Sequence, residues 1–188
     1  MKSALRGAAF GVLFVSGAAL AQQPAPEASA RPETKNVEDW IVRCFPIQSP
    51  SPCDMFQEQD AQQSHQRVLS LSIAFVPSLD RHALQVSVPL DISIAKGVTI
   101  QAEGYTSPVL RYRRCDRNGC YVEQAVDNAL VEGLAKSGGT GKVNIFADNG
   151  KSYALTFSLK GFTAAHDDMV AQAKAKAKSV EKTTEPAK

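Results

Sequence analysis

Two of the four cysteines, Cys115 and Cys120, flank an Asn118-Gly119 pair, and the other two, Cys44 and Cys53, flank a loop containing Pro46, Pro50 and Pro52. A bond across either short gap would force the flanking segments to return alongside each other. Three connectivities are open to four cysteines. The turn residues inside each close pair favour local bridges, Cys44–Cys53 and Cys115–Cys120. Zinc is the rival use of such residues, but its usual spacing leaves two to four residues between ligands, and the first pair is too far apart for that. The absence of a C-x-x-C motif argues against thioredoxin-like redox chemistry.

Bridges persist only in an oxidising compartment, and the amino terminus supplies the route to one. Lys2 and Arg6 precede the small, apolar run Ala8 to Leu20, and Ala19-Leu20-Ala21 fits a small-x-small cleavage site. Residues 1–21 therefore read as a secretory signal peptide, with a mature start at Gln22. The run is shorter than the roughly 20 apolar residues of a spanning helix, and no later segment is apolar enough to cross a membrane. The formal charge of +2 vanishes with Lys2 and Arg6. The tail 171–188 holds five lysines against Glu181 and Glu185, which leaves the stretch 22–170 at −3. A mildly acidic domain with a basic tail is not the profile of a nucleic-acid binder.

Residues 22–36, rich in Pro, Ala and Glu, predict a disordered spacer. Order is expected from Val37, with Trp40, Val42 and Cys44 alternating along a strand. Met55 to Gln66 is polar and reads as irregular or exposed and extended. Leu69, Leu71, Ile73 and Phe75 then alternate with small polar residues, as do Leu84, Val86, Val88 and Leu90 after the Pro77–Arg81 turn. That period of two marks strands with one buried face. Val98–Ala102, Lys142–Ala147 and Tyr153–Leu159 repeat the pattern. Between them Asp127 is placed to cap a short helix carrying Leu130, Val131 and Leu134. Thr163 is a candidate cap for a last helical turn. The Ala/Lys tail 171–188 reads either as a solvated helical extension or as disorder. Eight or nine short strands with regular turns predict an antiparallel all-β domain over 37–170, most simply a sandwich, with a partly open barrel or jelly roll also compatible.

The segment Arg111–Val126, RYRRCDRNGCYVEQAV, is the most distinctive surface. Asn-Gly between extended arms predicts a hairpin with a type I′ turn, here pinned by Cys115–Cys120. If Val109–Cys115 is extended, Arg111 and Arg113 share a face, Arg114 lies opposite and Arg117 sits on the turn. Guanidinium forks suit phosphate, sulfate and carboxylate groups, and Tyr112 and Tyr121 are placed to stack. Arg111, Arg113, Arg114, Arg117, Tyr112 and Tyr121 are thus the candidate anion- or partner-binding residues. The competing expectation is that these arginines are neutralised locally by Asp116 and Glu123.

The motifs DWIVRC at 39–44, VPLDISIAKGVTIQAEG at 88–104, RRCDRNGC at 113–120 and SLKGFTAA at 158–165, with Cys53, together resemble the invasion-associated locus B family of proteobacterial exported proteins. The resemblance implies an immunoglobulin-like β-sandwich. It also implies export to the periplasm, with outer-membrane association or secretion as further destinations, and in pathogenic members an association with host-cell entry. It maps no catalytic residues onto this chain.

No catalytic motif stands in the sequence. His65, His82 and His166 lie outside G-x-S-x-G and H-E-x-x-H patterns. His166-Asp167-Asp168 offers one imidazole and two carboxylates in a row, but consecutive helical residues point about 100° apart and do not converge on one ion. The expectation is a non-enzymatic envelope protein with no cofactor and no metal. It would bind an unidentified protein, glycan or lipid headgroup, and not nucleic acid. The alternative is a periplasmic accessory or chaperone-like protein that pairs with extended chains through a sheet edge.

Overall fold

The computed structural model describes residues 31–184, with side chains to Lys178. The expected leader, most of the expected spacer and the end of the tail lie outside these residues. Eleven strands and two α-helices are present: β1 Glu33–Val37, β2 Trp40–Cys44, β3 Cys53–Asp60, β4 Arg67–Val76, β5 Arg81–Val88, β6 Thr99–Ala102, β7 Tyr105–Thr106, β8 Arg114–Asp116, β9 Gly119–Val126, α1 Asn128–Lys136, β10 Thr140–Phe146, β11 Ser152–Ser158 and α2 Phe162–Thr184. They form a seven-stranded sheet, β1-β2-β3-β4-β5-β9-β8, and a four-stranded sheet, β11-β10-β6-β7, in which every pair is antiparallel. This is the expected antiparallel β-sandwich.

The alternation seen in the sequence decides what faces inward. Leu69, Leu71, Ile73 and Phe75 of β4 and Leu84, Val86 and Val88 of β5 are buried in one core, facing Ile100 of β6, Val143 and Ile145 of β10 and Phe157 of β11. The β4–β5 pairing runs from Ser70–Ser87 to Val76–Arg81, as the pattern requires. Pro89 ends β5 one step early. It has no N–H for the ladder, so Leu90 falls outside the strand and is 46% exposed. Asp127 caps α1 by accepting the Leu130 N–H at 3.3 Å, and Leu130, Val131 and Leu134 are buried beneath it.

Three readings of the chain are corrected. Residues 33–36 of the expected spacer form most of β1, pairing with β2 from Glu33–Cys44 to Val37–Trp40. Met55–Gln66 is only partly irregular and exposed: β3, Cys53–Asp60, is the third strand of the large sheet with Met55 and Gln57 buried, whereas 61–66 lie outside the strand and 62–66 are exposed, as expected. The last helix is not a single turn. It begins at Phe162, one residue before Thr163, and runs for 23 residues. Phe162, Ala165, Met169 and Ala173 are fully or nearly fully buried, so the helical part of the tail docks on the domain past residue 170.

The two sheets and α2 converge on Trp40. Its indole meets the Phe157 ring edge-on at 6.4 Å and the Phe162 ring at 5.4 Å. Beside it, the buried Gln57 carboxamide donates to the Asp39 carbonyl at 2.8 Å and accepts the Ser158 N–H at 2.7 Å. Gln57 thereby stitches β3 to β11 across the sandwich. Trp40→Ala is expected to lower the unfolding free energy by about 3–5 kcal/mol, the range for emptying an aromatic core site. Trp40→Phe should cost much less, because the Trp40 Nε1–H is buried without a partner among the described residues and its removal relieves that penalty. Urea unfolding followed by circular dichroism measures both.

Candidate binding surface

The hairpin of β8 and β9 is built as a two-residue turn. Asp116 pairs with Gly119, Cys115 with Cys120 and Arg114 with Tyr121, leaving Arg117 and Asn118 at the tip. Cys115 and Cys120 are bonded across the strands, as are Cys44 and Cys53 at the start of the β2–β3 pair. Both local bridges are therefore present. The turn is not type I′, which needs positive φ at both central residues. Among the described residues other than glycine, positive φ occurs only at Glu38, His65, Asp80 and Asp91. The Asp116 carboxylate holds the turn instead, accepting the Asn118 N–H at 2.8 Å. Gly119 has a different task. Its φ is +140°, and a Cβ there would lie 2.3 Å from the Val88 carbonyl oxygen, so a side chain would push β9 off β5.

Only part of the expected arginine array exists. Val109–Arg113 is not a strand; its contact with the sheets is Leu110 bridging to Val98 and the Arg113 N–H donating to the Tyr121 carbonyl at 2.8 Å. Arg111 and Arg113 consequently do not stand side by side. Arg111 donates to the Ala95 carbonyl at 2.7 Å. Arg114 lies over the Tyr121 ring at 3.9 Å and binds Asp116 at 2.6 Å and Glu123 at 3.0 Å. Local neutralisation therefore claims Arg114 and its stacking partner Tyr121. Tyr112 is turned into the protein. Its hydroxyl is buried without a partner among the described residues, and burial raises its pKa to about 12. It is part of the core wall and not a platform for a ligand.

The carboxylates show the same pairing. The Asn118 N–H, then Arg114, holds the Asp116 carboxyl below the usual range. At Glu123 burial pushes upward, but Gln85, Arg114 and Arg113 together bring the carboxyl below its ordinary value. What remains open is the tip. Arg113 is 71% exposed, with Glu123 only at 3.9 Å. The exposed Arg117 side chain has no bonded partner among the described residues. Arg67 of β4 adds a further guanidinium, donating to the Asn118 carbonyl at 2.9 Å. The sequence separation of 51 residues hides that contribution.

A second cluster also escapes the sequence. His82 of β5 and His166 of α2 meet Nε2 to Nε2 at 2.9 Å, over the Phe75 ring and at a recess of about 270 Å³ that Asp80, Asn128, Glu132 and Lys174 also line. One imidazole must donate and the other accept, so the contact needs a neutral acceptor. Burial, then His166, lowers the His82 pKa. The run His166-Asp167-Asp168 does not converge: Asp167 lies 3.2 Å from His166 Nδ1, while Asp168 turns to Lys35 at 2.9 Å.

A family model for "Invasion associated locus B (IalB) protein" matches residues 40–170. Two Brucella abortus proteins named invasion protein B homologs are each 31% identical over 138 residues, covering 73% of this chain and 79% of the relative. A crystal structure of invasion associated protein B from Bartonella henselae superposes with a TM-score of 0.65 at 20% identity, covering 76% of this chain and 99% of that one. At that identity the likeness shows the shared fold.

Two outcomes test the geometry. Gly119→Ala should destabilise the protein clearly, whereas Asn118→Ala should change stability by no more than about 0.5 kcal/mol; a true type I′ turn would make Asn118 matter too. The lowered His82 value means that the unfolded chain binds more protons once the pH drops below the ordinary imidazole value of 6.5. Stability is then full above 6.5 and declines as the pH falls through the folded value. The urea midpoint should fall across that window, and His82→Leu should flatten the fall. With its two sheets, two local disulfides and matched segment 40–170, the chain belongs to the invasion associated locus B family.

Proposed function

We propose that this chain is an exported, non-enzymatic envelope protein that binds anionic groups through the tip of the β8–β9 hairpin. The observation that carries the reading is a rigid turn, cross-linked at Cys115–Cys120, whose Arg117 has no carboxylate partner among the described residues and whose Arg113 is largely exposed. Arg67 contributes from β4, two strands from β9 in the sheet, by donating to the Asn118 carbonyl at the turn. A pinned turn loses little conformational freedom on binding, which favours affinity from few contacts. Guanidinium groups at its end fit phosphate, sulfate or carboxylate on a lipid headgroup, a glycan or an acidic protein. Two disulfides support a site of action outside the cytoplasm; periplasm, outer membrane and secretion are all consistent with them. The names of the Brucella relatives speak of invasion. Carried to this chain, they suggest a surface-binding role in host-cell entry.

A non-catalytic reading is supported by how the reactive side chains are used. All four cysteines are bonded, and His82 and His166 commit their Nε2 atoms to each other. No helix among the described residues is long and apolar enough to cross a membrane. A second reading, an accessory protein that pairs with extended chains, is favoured by the uncharged outer edge of β11.

The test replaces Arg67, Arg113 and Arg117 with Ser and measures binding to heparin and to phosphatidylglycerol vesicles at increasing salt. The native protein should bind at least one of them with salt-sensitive affinity, and the triple variant should lose most of that binding. Binding that is unchanged by the substitutions, or that ignores salt, would overturn the reading.

A further inference from the structure

Of the four outer strands in the two sheets, three are blunted. β1 carries Glu33 and Lys35 and is tied to α2 by Lys35–Asp168 at 2.9 Å and Lys176–Glu33 at 3.2 Å. β8 is three residues long and carries Arg114 and Asp116. β7 is two residues long, with Pro108 soon after it. β11 differs. Its seven residues, Ser-Tyr-Ala-Leu-Thr-Phe-Ser, contain no charge and no proline. Natural sheets normally protect such an edge.

The direction of its backbone groups follows from the ladder. Gln57 takes both the N–H and the carbonyl of Ser158, while the Leu159 N–H donates inward to Gly139. Odd residues of β11 therefore bond to β10, and even residues point outward, because the two alternate in an antiparallel strand. The N–H and C=O of Ser152, Ala154 and Thr156 face away from the sheet and have no partner among the described residues. This free run is closed at both ends. Gln57 occupies Ser158, and on the other side the Gly150 N–H is used in the turn, donating to Ala147 at 2.9 Å.

We propose that β11 is a self-pairing edge, on which a second copy of this chain docks through its own β11, antiparallel and two-fold symmetric about Ala154. The register is set by the free groups. Ser152 of each copy pairs with Thr156 of the other, and Ala154 with Ala154, so that every outward N–H and C=O is used. No like charges face each other, since the strand has none. The same register places Tyr153 beside Leu155 of the second copy on the core-side face. Tyr153 is 48% exposed although it points to that face, and Leu155 is only half-buried. An aromatic–aliphatic pair across the joint would cover both. The two four-stranded sheets then become one eight-stranded sheet. A two-fold interface of this kind is closed and cannot propagate into a fibre.

Sedimentation equilibrium of the purified protein, from micromolar to millimolar concentration, tests the pairing. The expected result is a mass that rises from one chain to two, with amide exchange at Ser152, Ala154 and Thr156 slowing as it does. Ala154→Pro removes the central outward donor at a position where an edge strand tolerates proline. Ala154→Lys keeps that donor but sets two ammonium groups face to face. Both variants should stay at one chain at the highest concentration, with native near-ultraviolet dichroism. A one-chain mass at every concentration, a two-chain mass that survives both substitutions, or protection of these amides only when an unrelated extended peptide is added would each overturn the proposal.

Discussion

Trp40 is the residue on which the three layers meet. It comes from the second strand of the large sheet, yet its indole touches Phe157 of the small sheet and Phe162 at the start of α2. A sandwich of two sheets can slide unless something spans the gap, and a helix laid on a sheet can roll. One large ring packed edge-on against two others removes both freedoms. Gln57 does the polar part of the same work by binding Ser158 and Asp39. This junction is a dense, directional contact in a core filled mostly by aliphatic side chains, and it fixes β11 and α2 to β2 and β3.

The large sheet explains why the hairpin can stand out from the domain. β9 is paired with β5 over seven residue pairs, so β8 and the turn hang from a strand that is itself deep in the sheet. Gly119 permits the close approach, and Cys120 is buried where the bridge leaves the core. The outer half then settles its own electrostatics. Arg114 is held by two carboxylates and lies on Tyr121, and this rigidifies the turn while removing one guanidinium from any external partner. Structure and binding compete for the same arginines, and the division between them is visible residue by residue.

Much of this was legible in the sequence. Strands β4, β5, β10 and β11 announce themselves because one face is aliphatic and the other small or polar, and α1 because its capping aspartate precedes an apolar triplet. The local disulfides are legible because turn residues lie between the cysteines. Three things were not. β3 is polar along much of its length, yet it is internal. Its outer face is covered by a side-chain network, with the Asp54 carboxylate held by Arg43 at 2.5 Å and by the Ser72 hydroxyl at 2.6 Å. Polar residues that satisfy one another look in the sequence like residues that face water. The docked face of α2 was hidden because its seam is Ala165, Met169 and Ala173. These stand at a spacing of four, but alanines also fill the exposed face, so the apolar stripe has no contrast. The arginine array was misread because it assumed an unbroken strand from Val109. Leu110 is drawn instead to Val98, which leaves Arg111 to Ala95.

The contact between His82 and His166 gains its meaning from that same helix. Beyond Phe162 and Met169, the seam of α2 consists of Ala165 and Ala173, and alanines bury little apolar area each. A seam of that kind gives a helix position without much strength, so polar contacts along its flank carry more of the attachment than they would under a leucine-rich seam. Lys35–Asp168 and Lys176–Glu33 are such contacts on the β1 side, and both are partly exposed ion pairs of modest worth. His82–His166 is the corresponding contact on the β5 side, and it is the more buried of the three. The helix is thus held at both flanks by interactions of different kinds. One flank is weakened by salt and the other by protons, while the Trp40–Phe162 contact at its first turn depends on neither. Conditions that loosen α2 should therefore act on its later turns first, leaving its start fixed to the junction of the two sheets.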